Sequence, residues 1–282
     1  MLTEKSYTRI TLALDIIKKL ESGNFAGYHE LNLIKHQINL YDTITVEDTD
    51  KTEILCNDSN VPTDSANLCW KAADLLKQGF NITKNAKITI EKNIPVQGGL
   101  AGGSANAATT FMLLNKLWDL NLSTEQLIRL GKKIGMDIPF YFIGSTAFDT
   151  ESTGKLEPIN TNLELNFILV LPEFGVSTKE AYQDIDYSKI AHDTEKTKLI
   201  RSGFENSNKE QIINNLHNDF ELSVFQKFPQ LKQIKEDLLK AGCLNAVMSG
   251  SGSTIIGITK SQEHAKEIQQ KLDYNSIIAQ TK

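Results

Sequence analysis

A glycine-rich segment between a strand pattern and a helix pattern constrains the fold of this chain more than any other feature. Residues 87–92 alternate in period two with β-branched side chains, and Pro95 then ends the strand because proline cannot donate a ladder hydrogen bond. Residues 98–104 follow, with the sequence Gly-Gly-Leu-Ala-Gly-Gly-Ser. Beyond them, apolar side chains recur at spacings of four, three and four: Ala107, Phe111, Leu114 and Trp118. This spacing predicts a helix that begins near Ser104, so the order is strand, glycine loop, helix.

The glycine segment is a candidate anion site. Backbone N–H groups and the positive end of the helix dipole converge where such a loop opens a helix, and phosphate is the natural ligand there. The alternative is a tight turn that needs small residues only for packing. Glycine or alanine occupies five of the six positions 98–103, which favours the phosphate site.

Two well-known nucleotide-binding motifs do not fit this chain. The Walker A motif ends in Gly-Lys followed by Ser or Thr, whereas residues 102–104 read Gly-Gly-Ser and contain no lysine. A second glycine turn begins Gly250-Ser251-Gly252, but the sixth position of a Rossmann fingerprint would be Ile255, and a strand pattern follows. The sequence therefore indicates a nucleotide site of another type.

Composition bounds the size and the partners of the protein. The 282 residues suit two modest domains or one large one. Because the composition becomes small and polar near residue 155, we expect two domains, 1–155 and 156–282. Lysine and arginine number 30 against 35 acidic residues, a net charge of −5, so we expect a small-molecule partner and neither a nucleic acid nor a membrane partner.

Neither a membrane segment nor a protein metal site is predicted. The apolar stretch 10–17 is interrupted by polar residues and is much shorter than the ~20 residues of a membrane span, so we expect a cytoplasmic protein. No HExxH motif is present, so no protein metal ligands are predicted. The cysteines are far apart in sequence, which predicts reduced thiols at three positions: Cys56, Cys69 and Cys243.

A second helix has an explicit start. Residues 123–126 form a capping box, and Gly135 offers a left-handed end to the helix that follows it. Asp137 comes just after this glycine. Because Pro139 biases the residue before it toward extended backbone, Asp137 is predicted at a helix-to-strand junction that leads into the apolar run 140–143.

Other elements follow from periodicity and turn residues, and no internal repeat is found. Residues 188–215 form a polar stretch. The remaining predicted elements are a helix over 66–76 that ends at Gly79, strands over 167–171 and 255–258, a helix over 229–239, and a polar terminal helix.

The segment 94–108, Ile-Pro-Val-Gln-Gly-Gly-Leu-Ala-Gly-Gly-Ser-Ala-Asn-Ala-Ala, resembles the phosphate-binding motif of the GHMP kinases, a family that includes galactokinase and the homoserine, mevalonate and phosphomevalonate kinases. Five further strings resemble this family in order and separation: 27–31, 137–140, 175–178, 218–221 and 248–252. The resemblance covers nearly the whole chain. It implies an α+β fold of two domains, an N-terminal ribosomal-protein-like α/β domain and a C-terminal ferredoxin-like α+β domain.

The string Gly-Tyr-His at 27–29 narrows the resemblance to family members that phosphorylate a cytidine-linked sugar alcohol. The implied reaction transfers the γ-phosphoryl group of ATP to a substrate hydroxyl, with Mg2+ held mostly by phosphates and water. In the family the tyrosine ring stacks on cytosine and the histidine contacts its polar edge, which assigns Tyr28 and His29 to substrate binding. Tyr182 matches the opposite wall of this base site, and Ala26 stands where the family usually has Asp.

The resemblance also assigns catalytic positions. Asp137 matches the family's catalytic Asp, which receives the hydroxyl proton as the attack on phosphorus develops. Arg9 stands where the family has a Lys that contacts that Asp and the substrate hydroxyl, and Thr11 stands where it has an Asn in the substrate site. A guanidinium is bulkier and more diffuse than an ammonium, and a bidentate grip on Asp137 would lower the basicity of that carboxylate.

The phosphate-binding and turn residues complete the implied site. The turn that closes beneath the glycine loop and the substrate phosphates in the family matches Gly250, Ser251 and Gly252. The residues that would wrap the ATP phosphates are Pro95, Gly98, Gly99, Leu100, Gly102, Gly103, Ser104 and Asn106.

Two alternative functions stay open at this point. A different GHMP kinase acting on a simpler alcohol predicts no preference for cytidine. A catalytically weak paralogue that binds nucleotide, suggested by Arg9, Thr11 and Ala26, predicts binding with little turnover. In each case we expect a monomer or a weak homodimer.

Overall fold

The structure is a computed structural model, and it describes residues 1–23, 26–96, 98–151, 154–183, 185–188, 190 and 194–282. Gln97 of the glycine motif and residues 189 and 191–193 of the polar stretch lie outside the described residues. Contacts divide the chain into two compact units. The first contains Met1–Thr8, Leu40–Val96 and Ala101–Gly144, and the second contains Arg9–Asn39, Gln97–Leu100 and Ser145–Lys282. The domain boundary near residue 155 stays a prediction.

The strands of the first unit are ordered β3-β4-β2-β1. They are β1 (Leu2–Lys19) and β2 (His29–Thr49), each of which continues into the second unit, β3 (Glu53–Cys56) and β4 (Asn85–Glu91). Residues 43–49 of β2 pair antiparallel with β4, and β3 pairs parallel with β4. The period-two pattern of β4 buries every second side chain, which confirms the predicted strand: Ala86, Ile88 and Ile90.

Four helices pack in the first unit: α1 (Leu68–Phe80), α2 (Gly102–Leu117), α3 (Thr124–Gly131) and α4 (Ile138–Ile143). The predicted helix after the glycine loop is confirmed as α2, whose Phe111 and Leu114 are fully buried. The capping box at the start of α3 is also confirmed, because the side chains of Ser123 and Gln126 each accept from the other's backbone N–H.

Two predicted helix ends are wrong. α1 continues past Gly79 to Phe80, and Asn81 provides the left-handed residue with φ +54°. α3 ends at Gly131, and Gly135 does not adopt a left-handed φ. A Cβ atom at position 135 would lie 3.1 Å from Ile138 Cδ1, so close packing explains this glycine better than a helix end does.

The predicted strand after Asp137 is also wrong. Asp137 is the N-cap residue of α4, and the apolar run 140–143 is helical. Pro139 occupies the first turn of this helix, where its missing N–H has no intrahelical partner to lose, so the proline starts the helix instead of extending the chain.

Strands of two sheets lie in the described part of the second unit. One has the order β6-β5-β2-β1-β8, with β5 (Thr146–Glu151), β6 (Leu156–Ile159) and β8 (His217–Asn218). The other is antiparallel with the order β11-β7-β10-β9. Its strands are β7 (Asn166–Val170), β9 (Asn245–Met248), β10 (Ile255–Thr259) and β11 (Ser276–Gln280), and β7 and β10 confirm the two strands predicted there.

The described residues of the second unit also form six helices: α5 (Thr178–Gln183), α6 (Glu195–Glu205), α7 (Lys209–Asn215), α8 (Phe220–Lys227), α9 (Pro229–Ala241) and α10 (Gln262–Lys271). α9 and α10 confirm the two predicted helices and pack on the antiparallel sheet. Leu231, Ile234 and Leu238 of α9 enter a buried core with Ile168 and Ile255 of that sheet.

The arrangement of helices and strands confirms the predicted α+β class. In the described ranges, no helix combines the length and apolar character that crossing a membrane requires. The cysteines are free thiols, as predicted. Burial raises the pKa of Cys69 and of Cys243 to about 12, so both thiols stay protonated at neutral pH.

Candidate active site

The start of α2 in the first unit combines a helix N-terminus with a nearby lysine. Its N-cap is Ala101, which has φ +53° and makes no side-chain hydrogen bond to the helix. The first N–H groups of this sixteen-residue helix therefore have no capping oxygen from that side chain. A Cβ atom at Gly102 would lie 2.9 Å from Ile94 Cγ2 and 3.3 Å from Lys92 Nζ, so the glycine lets a lysine ammonium approach the positive end of the helix.

Asp42 holds this lysine and the first turns of α2 in place. The carboxylate is fully buried and accepts from Lys92 Nζ at 2.5 Å and from Asn106 Nδ2 at 2.8 Å. Its other oxygen accepts from the backbone N–H groups of Asn93 at 2.7 Å and Ile94 at 2.8 Å. One acid therefore anchors the strand end before the glycine loop and the helix after it.

Asn106 has capacity left for a ligand. Its side chain is buried, and while Nδ2 is bound to Asp42, Oδ1 has no hydrogen-bond partner among the described residues. A buried acceptor without a partner is rare because its desolvation is not compensated. A donor group on a bound nucleotide would satisfy it, which supports the prediction that Asn106 contacts the nucleotide.

Asp137 lies in the first unit, at the start of α4. The side chain is half-buried. Four residues later on the same helix, Tyr141 donates from its hydroxyl to the carbonyl of Ala101 at 3.2 Å. This bond ties α4, and with it Asp137, to the start of the helix that the glycine loop opens.

Residues 98–100 of the glycine loop belong to the second unit, where two donors meet the carbonyl of Gly99. Arg9 Nη1 donates to this oxygen at 2.8 Å and Ser249 Oγ donates to it at 3.2 Å. Arg9 Nη1 also donates to Thr11 Oγ1 at 3.2 Å. The structure thus brings the predicted residues Arg9, Thr11 and Gly99 together in one buried network.

The second glycine turn is supported from β8. Asn218 Nδ2 donates to the carbonyls of Met248 and Gly250, each at 2.7 Å. Gly250 and Gly252 both have positive φ, a backbone conformation that glycine adopts without steric cost. Ser251 Oγ lies 3.4 Å from Thr178 Oγ1 at the start of α5. These contacts give the predicted substrate turn a defined shape.

Aromatic rings stack in the predicted base site of the second unit. The His29 ring stacks on Tyr182 with centroids 4.1 Å apart and an interplanar angle of 13°. Burial, and then the charge of Lys19, lower the pKa of His29, which keeps the imidazole neutral at neutral pH. Tyr28 is 51% exposed.

Three residues of these sites were not found from the sequence. Asp42 and Lys92 belong to no sequence motif that signals phosphate binding. Tyr187 accompanies His29, with its hydroxyl 2.6 Å from Nε2 and its ring parallel at 6.1 Å. No sequence periodicity points to this tyrosine.

The described residues contain no cluster of three or more His, Cys, Asp or Glu side chains arranged to hold a metal ion.

Family comparisons match both halves of the chain. Residues 67–145 match the model described as GHMP kinases N terminal domain, and residues 200–277 match the model described as GHMP kinases C terminal. These matches include α2 in the first half and the 248–252 turn in the second.

Individual relatives are similar over nearly the full chain. The 4-diphosphocytidyl-2-C-methyl-D-erythritol kinase of Alkaliphilus oremlandii (strain OhILAs) is 40% identical over 272 residues, which cover 95% of this chain and 91% of that protein. The protein of the same name from Clostridium perfringens (strain ATCC 13124) is 42% identical over 254 residues, 89% of this chain and 86% of that protein.

Solved structures show the same fold. A crystal structure of 4-(cytidine 5'-diphospho)-2C-methyl-D-erythritol kinase superposes with a TM-score of 0.82 at 23% identity and covers 99% of this chain and 98% of that chain. A homoserine kinase from Cytophaga hutchinsonii gives a TM-score of 0.71 at 17% identity, and the match covers 98% of this chain and 94% of that chain.

Proposed function

Because this chain belongs to the GHMP kinase family, whose kinase activity implies the use of ATP, we propose that it phosphorylates the 2-hydroxyl of 4-diphosphocytidyl-2-C-methyl-D-erythritol. The reaction belongs to the non-mevalonate route to isoprenoid precursors. The observation that carries this proposal is the 40% identity to a kinase of that name along 95% of the chain.

The phosphate-binding role falls to the start of α2 and the glycine loop before it. The N-terminus of α2, which receives no side-chain cap from Ala101, and the ammonium of Lys92 support phosphate binding there. Asn106 Oδ1 is an acceptor, so it pairs with a donor group of the nucleotide and not with a phosphate oxygen. Pro95, Gly98, Gly99, Leu100, Gly102, Gly103 and Ser104 shape the backbone around the phosphates. Mg2+ bound with ATP would supply charge stabilisation to the phosphoryl group, and phosphate oxygens and water would hold it.

Asp137 is the proposed catalytic base. As the substrate oxygen forms its bond to the γ-phosphorus, the hydroxyl proton passes to the Asp137 carboxylate and the bond to the ADP oxygen breaks. Arg9 contributes positive charge, and Thr11 and the 250–252 turn contact the substrate. The start of α4, where Asp137 stands, holds the carboxylate on a short rigid element.

The cytidine moiety is assigned to the aromatic residues of the second unit. Tyr28 provides an exposed ring for stacking, neutral His29 offers a hydrogen bond to the polar edge of the base, and Tyr182 borders the base site with its ring stacked on His29. Aromatic stacking on a base contributes about 1–3 kcal/mol in comparable sites.

We also propose that the protein is a cytoplasmic monomer or weak homodimer that binds neither nucleic acid nor membrane.

The test is ADP release and product mass with MgATP and 4-diphosphocytidyl-2-C-methyl-D-erythritol. Asp137→Asn keeps the shape of the side chain but cannot accept the proton, so kcat should fall at least ~100-fold, as expected for the loss of a general base. Asp119→Asn, an exposed acid of the same unit, is the matched control and should leave kcat unchanged.

The alternatives make different predictions in the same assay. Turnover of a simpler alcohol with no response to the cytidine group would favour another GHMP kinase. Tight ADP binding with no turnover of any alcohol would favour a nucleotide-binding paralogue.

A further inference from the structure

We propose that Arg9 is a positioning residue that fixes the glycine loop through the carbonyl of Gly99 and thereby sets the affinity for ATP. The inference rests on the proposed function in one respect, since it takes this loop to be the segment that binds the phosphates. The inferred role of Arg9 does not depend on any contact between its guanidinium and the reacting atoms.

The guanidinium is bound to the loop by a short charge-assisted bond. Arg9 is 6% exposed, and its Nη1 donates to Gly99 O at 2.8 Å. The same nitrogen donates to Thr11 Oγ1 at 3.2 Å. A charged donor in a buried setting forms a stronger bond to a carbonyl than a neutral one does, so this contact holds the loop firmly.

Ser249 provides a second hydrogen bond to the Gly99 carbonyl and completes the network. Ser249 Oγ donates to the same carbonyl at 3.2 Å and accepts from the backbone N–H of Thr11 at 3.3 Å. Ser249 is fully buried. Thr11 therefore contacts both donors of the Gly99 carbonyl, one through its hydroxyl and the other through its N–H. The four residues form a closed ring of hydrogen bonds.

The loop has little room to move within this ring. Gly99 has φ +73°, and a Cβ atom there would lie 2.3 Å from the carbonyl oxygen of Ser249 and 2.8 Å from that of Gly252. The preceding carbonyl, Gly98 O, accepts from Thr254 N at 3.3 Å. Two successive carbonyls of the loop are thus held by donors from β1 and from the second glycine turn.

Holding a carbonyl also orients the next N–H group, because the peptide unit is planar. The Gly99 carbonyl and the following N–H lie in one plane, as do the Gly98 carbonyl and the N–H of Gly99. A carbonyl oxygen turned toward a phosphate would repel it, so directing these oxygens to Arg9, Ser249 and Thr254 favours the bound anion. Arg9 acts on the nucleotide through this orientation.

Arginine suits this position better than lysine does. The planar guanidinium presents its N–H groups at fixed angles, which lets one nitrogen serve Gly99 O and Thr11 Oγ1 together. An ammonium on a flexible stem is a more strongly hydrated point charge. Arg9→Lys is therefore expected to loosen the loop even though it keeps the charge.

The main experiment measures ADP affinity by calorimetry beside the steady-state constants. Arg9→Lys should raise the Kd for ADP and the KM for ATP by at least about fivefold, the loss expected for one good hydrogen bond, and should change the KM of the sugar-alcohol substrate less than twofold. Arg201→Lys is the matched control, an arginine bound to Glu157 and Glu205 away from the loop, and should change none of these constants.

Two further variants separate positioning from general damage. Ser249→Ala removes the second donor, and its effect on the Kd for ADP should combine non-additively with that of Arg9→Lys, because both act on one carbonyl. In Arg9→Ala, added guanidinium ion should restore ADP affinity, whereas methylammonium should not. A merely structural role would change the thermal midpoint without this selective rescue.

The outcomes distinguish this inference from the proposed function. If Arg9→Lys leaves the Kd for ADP within twofold of wild type while kcat changes, Arg9 acts on the reacting atoms and the positioning role is wrong. If wild type binds ADP, Arg9→Lys weakens that binding, and the cytidine-linked substrate is not turned over, the positioning role stands and the proposed substrate is wrong. Failure of the wild-type protein to bind ADP would overturn both.

Discussion

Asp42 shows how much of the phosphate region depends on one side chain. Its two oxygens accept four hydrogen bonds, from Lys92, Asn106 and the N–H groups of Asn93 and Ile94. A buried carboxylate is tolerated only when its lone pairs are satisfied and its charge is matched, and here both conditions are met by the segments on either side of the glycine loop.

Replacing Asp42 with Asn should destabilise the protein by about 3 kcal/mol, because it leaves the buried ammonium of Lys92 without its counter-charge. Unfolding in urea, followed by circular dichroism, measures the change. Glu47→Gln is the control, since the Glu47–Lys87 pair joins strands of the same unit at its surface and should matter far less. Equal effects of the two substitutions would contradict the central role of Asp42.

Tyr187 is a second residue with a specific role, which rests on the proposed substrate. Tyr187→Phe keeps the ring beside His29 and removes the hydroxyl that lies 2.6 Å from Nε2. The KM of the cytidine-linked substrate should rise about threefold, through loss of one hydrogen bond that orients the imidazole, while the KM for ATP stays constant.

Tyr274→Phe is the matched control for Tyr187→Phe, because it removes a hydroxyl that donates to Asp237 at 2.8 Å outside the base site. It should leave both KM values unchanged. A Tyr187→Phe enzyme with the wild-type KM for the cytidine-linked substrate would show that this hydroxyl has no part in substrate binding.

At the scale of elements, two histidines on strands of the second unit have pKa values shifted in opposite directions. His217 lies on β8. Its Nε2 is 2.6 Å from Oδ1 of Asp15 on β1, and its Nδ1 is 2.9 Å from the carbonyl oxygen of Asn215. Both partners are acceptors, which favours the doubly protonated ring. Burial acts to lower the pKa of His217, but the hydrogen bond and the charge of Asp15 outweigh it and raise the pKa above 6.5.

His36 on β2 has the reverse environment. Its ring lies between the hydroxyls of Thr146 and Thr281, and burial lowers its pKa to about 3. Neutral hydroxyls can pair with a neutral imidazole, whereas they cannot compensate a buried charge. The surroundings on these strands therefore favour the protonated ring of His217 and the neutral ring of His36.

These shifts predict opposite pH dependences for the two histidines. The stabilisation from His217 is complete below about pH 6.5 and is lost as pH rises through the raised folded-state pKa, since the folded state then releases a proton. His36 contributes least at low pH, because the unfolded state binds a proton below about pH 6.5 that the folded state does not.

Urea unfolding between about pH 5 and pH 9 measures this difference, and each histidine serves as the control for the other. The destabilisation by His217→Gln should shrink as pH rises above about 6.5, whereas that by His36→Gln should grow as pH rises toward about 6.5 and then stay level. Parallel curves for the two variants would contradict both assignments.

At the scale of the whole molecule, each unit is assembled from segments that are distant in sequence. Residues 2–8 of β1 and 40–49 of β2 belong to one unit, and the rest of each strand belongs to the other. Composition cannot reveal such a division, because it depends on which segments pair and not on local residue content. The predicted boundary near residue 155 rested on composition alone.

Local chemistry explains which elements were predictable from the sequence. The strand before the glycine loop, the helix after it and the capping box at Ser123 each depend on neighbours within a few residues. The helix at Asp137 was missed because Pro139 is compatible both with an extended residue before it and with the first turn of a helix. Only the packing of α4 against α2 and α3 selects the second option.

The sequence by itself determined the elements around the glycine loop and the family, since both are carried by short patterns and motifs in a fixed order. Only the tertiary structure decided which side chains act on that loop. Arg9 is 90 residues and Ser249 is 150 residues from the glycine whose carbonyl they share. Hydrogen bonds over such separations depend on where distant strands place their side chains, and no local pattern encodes that placement.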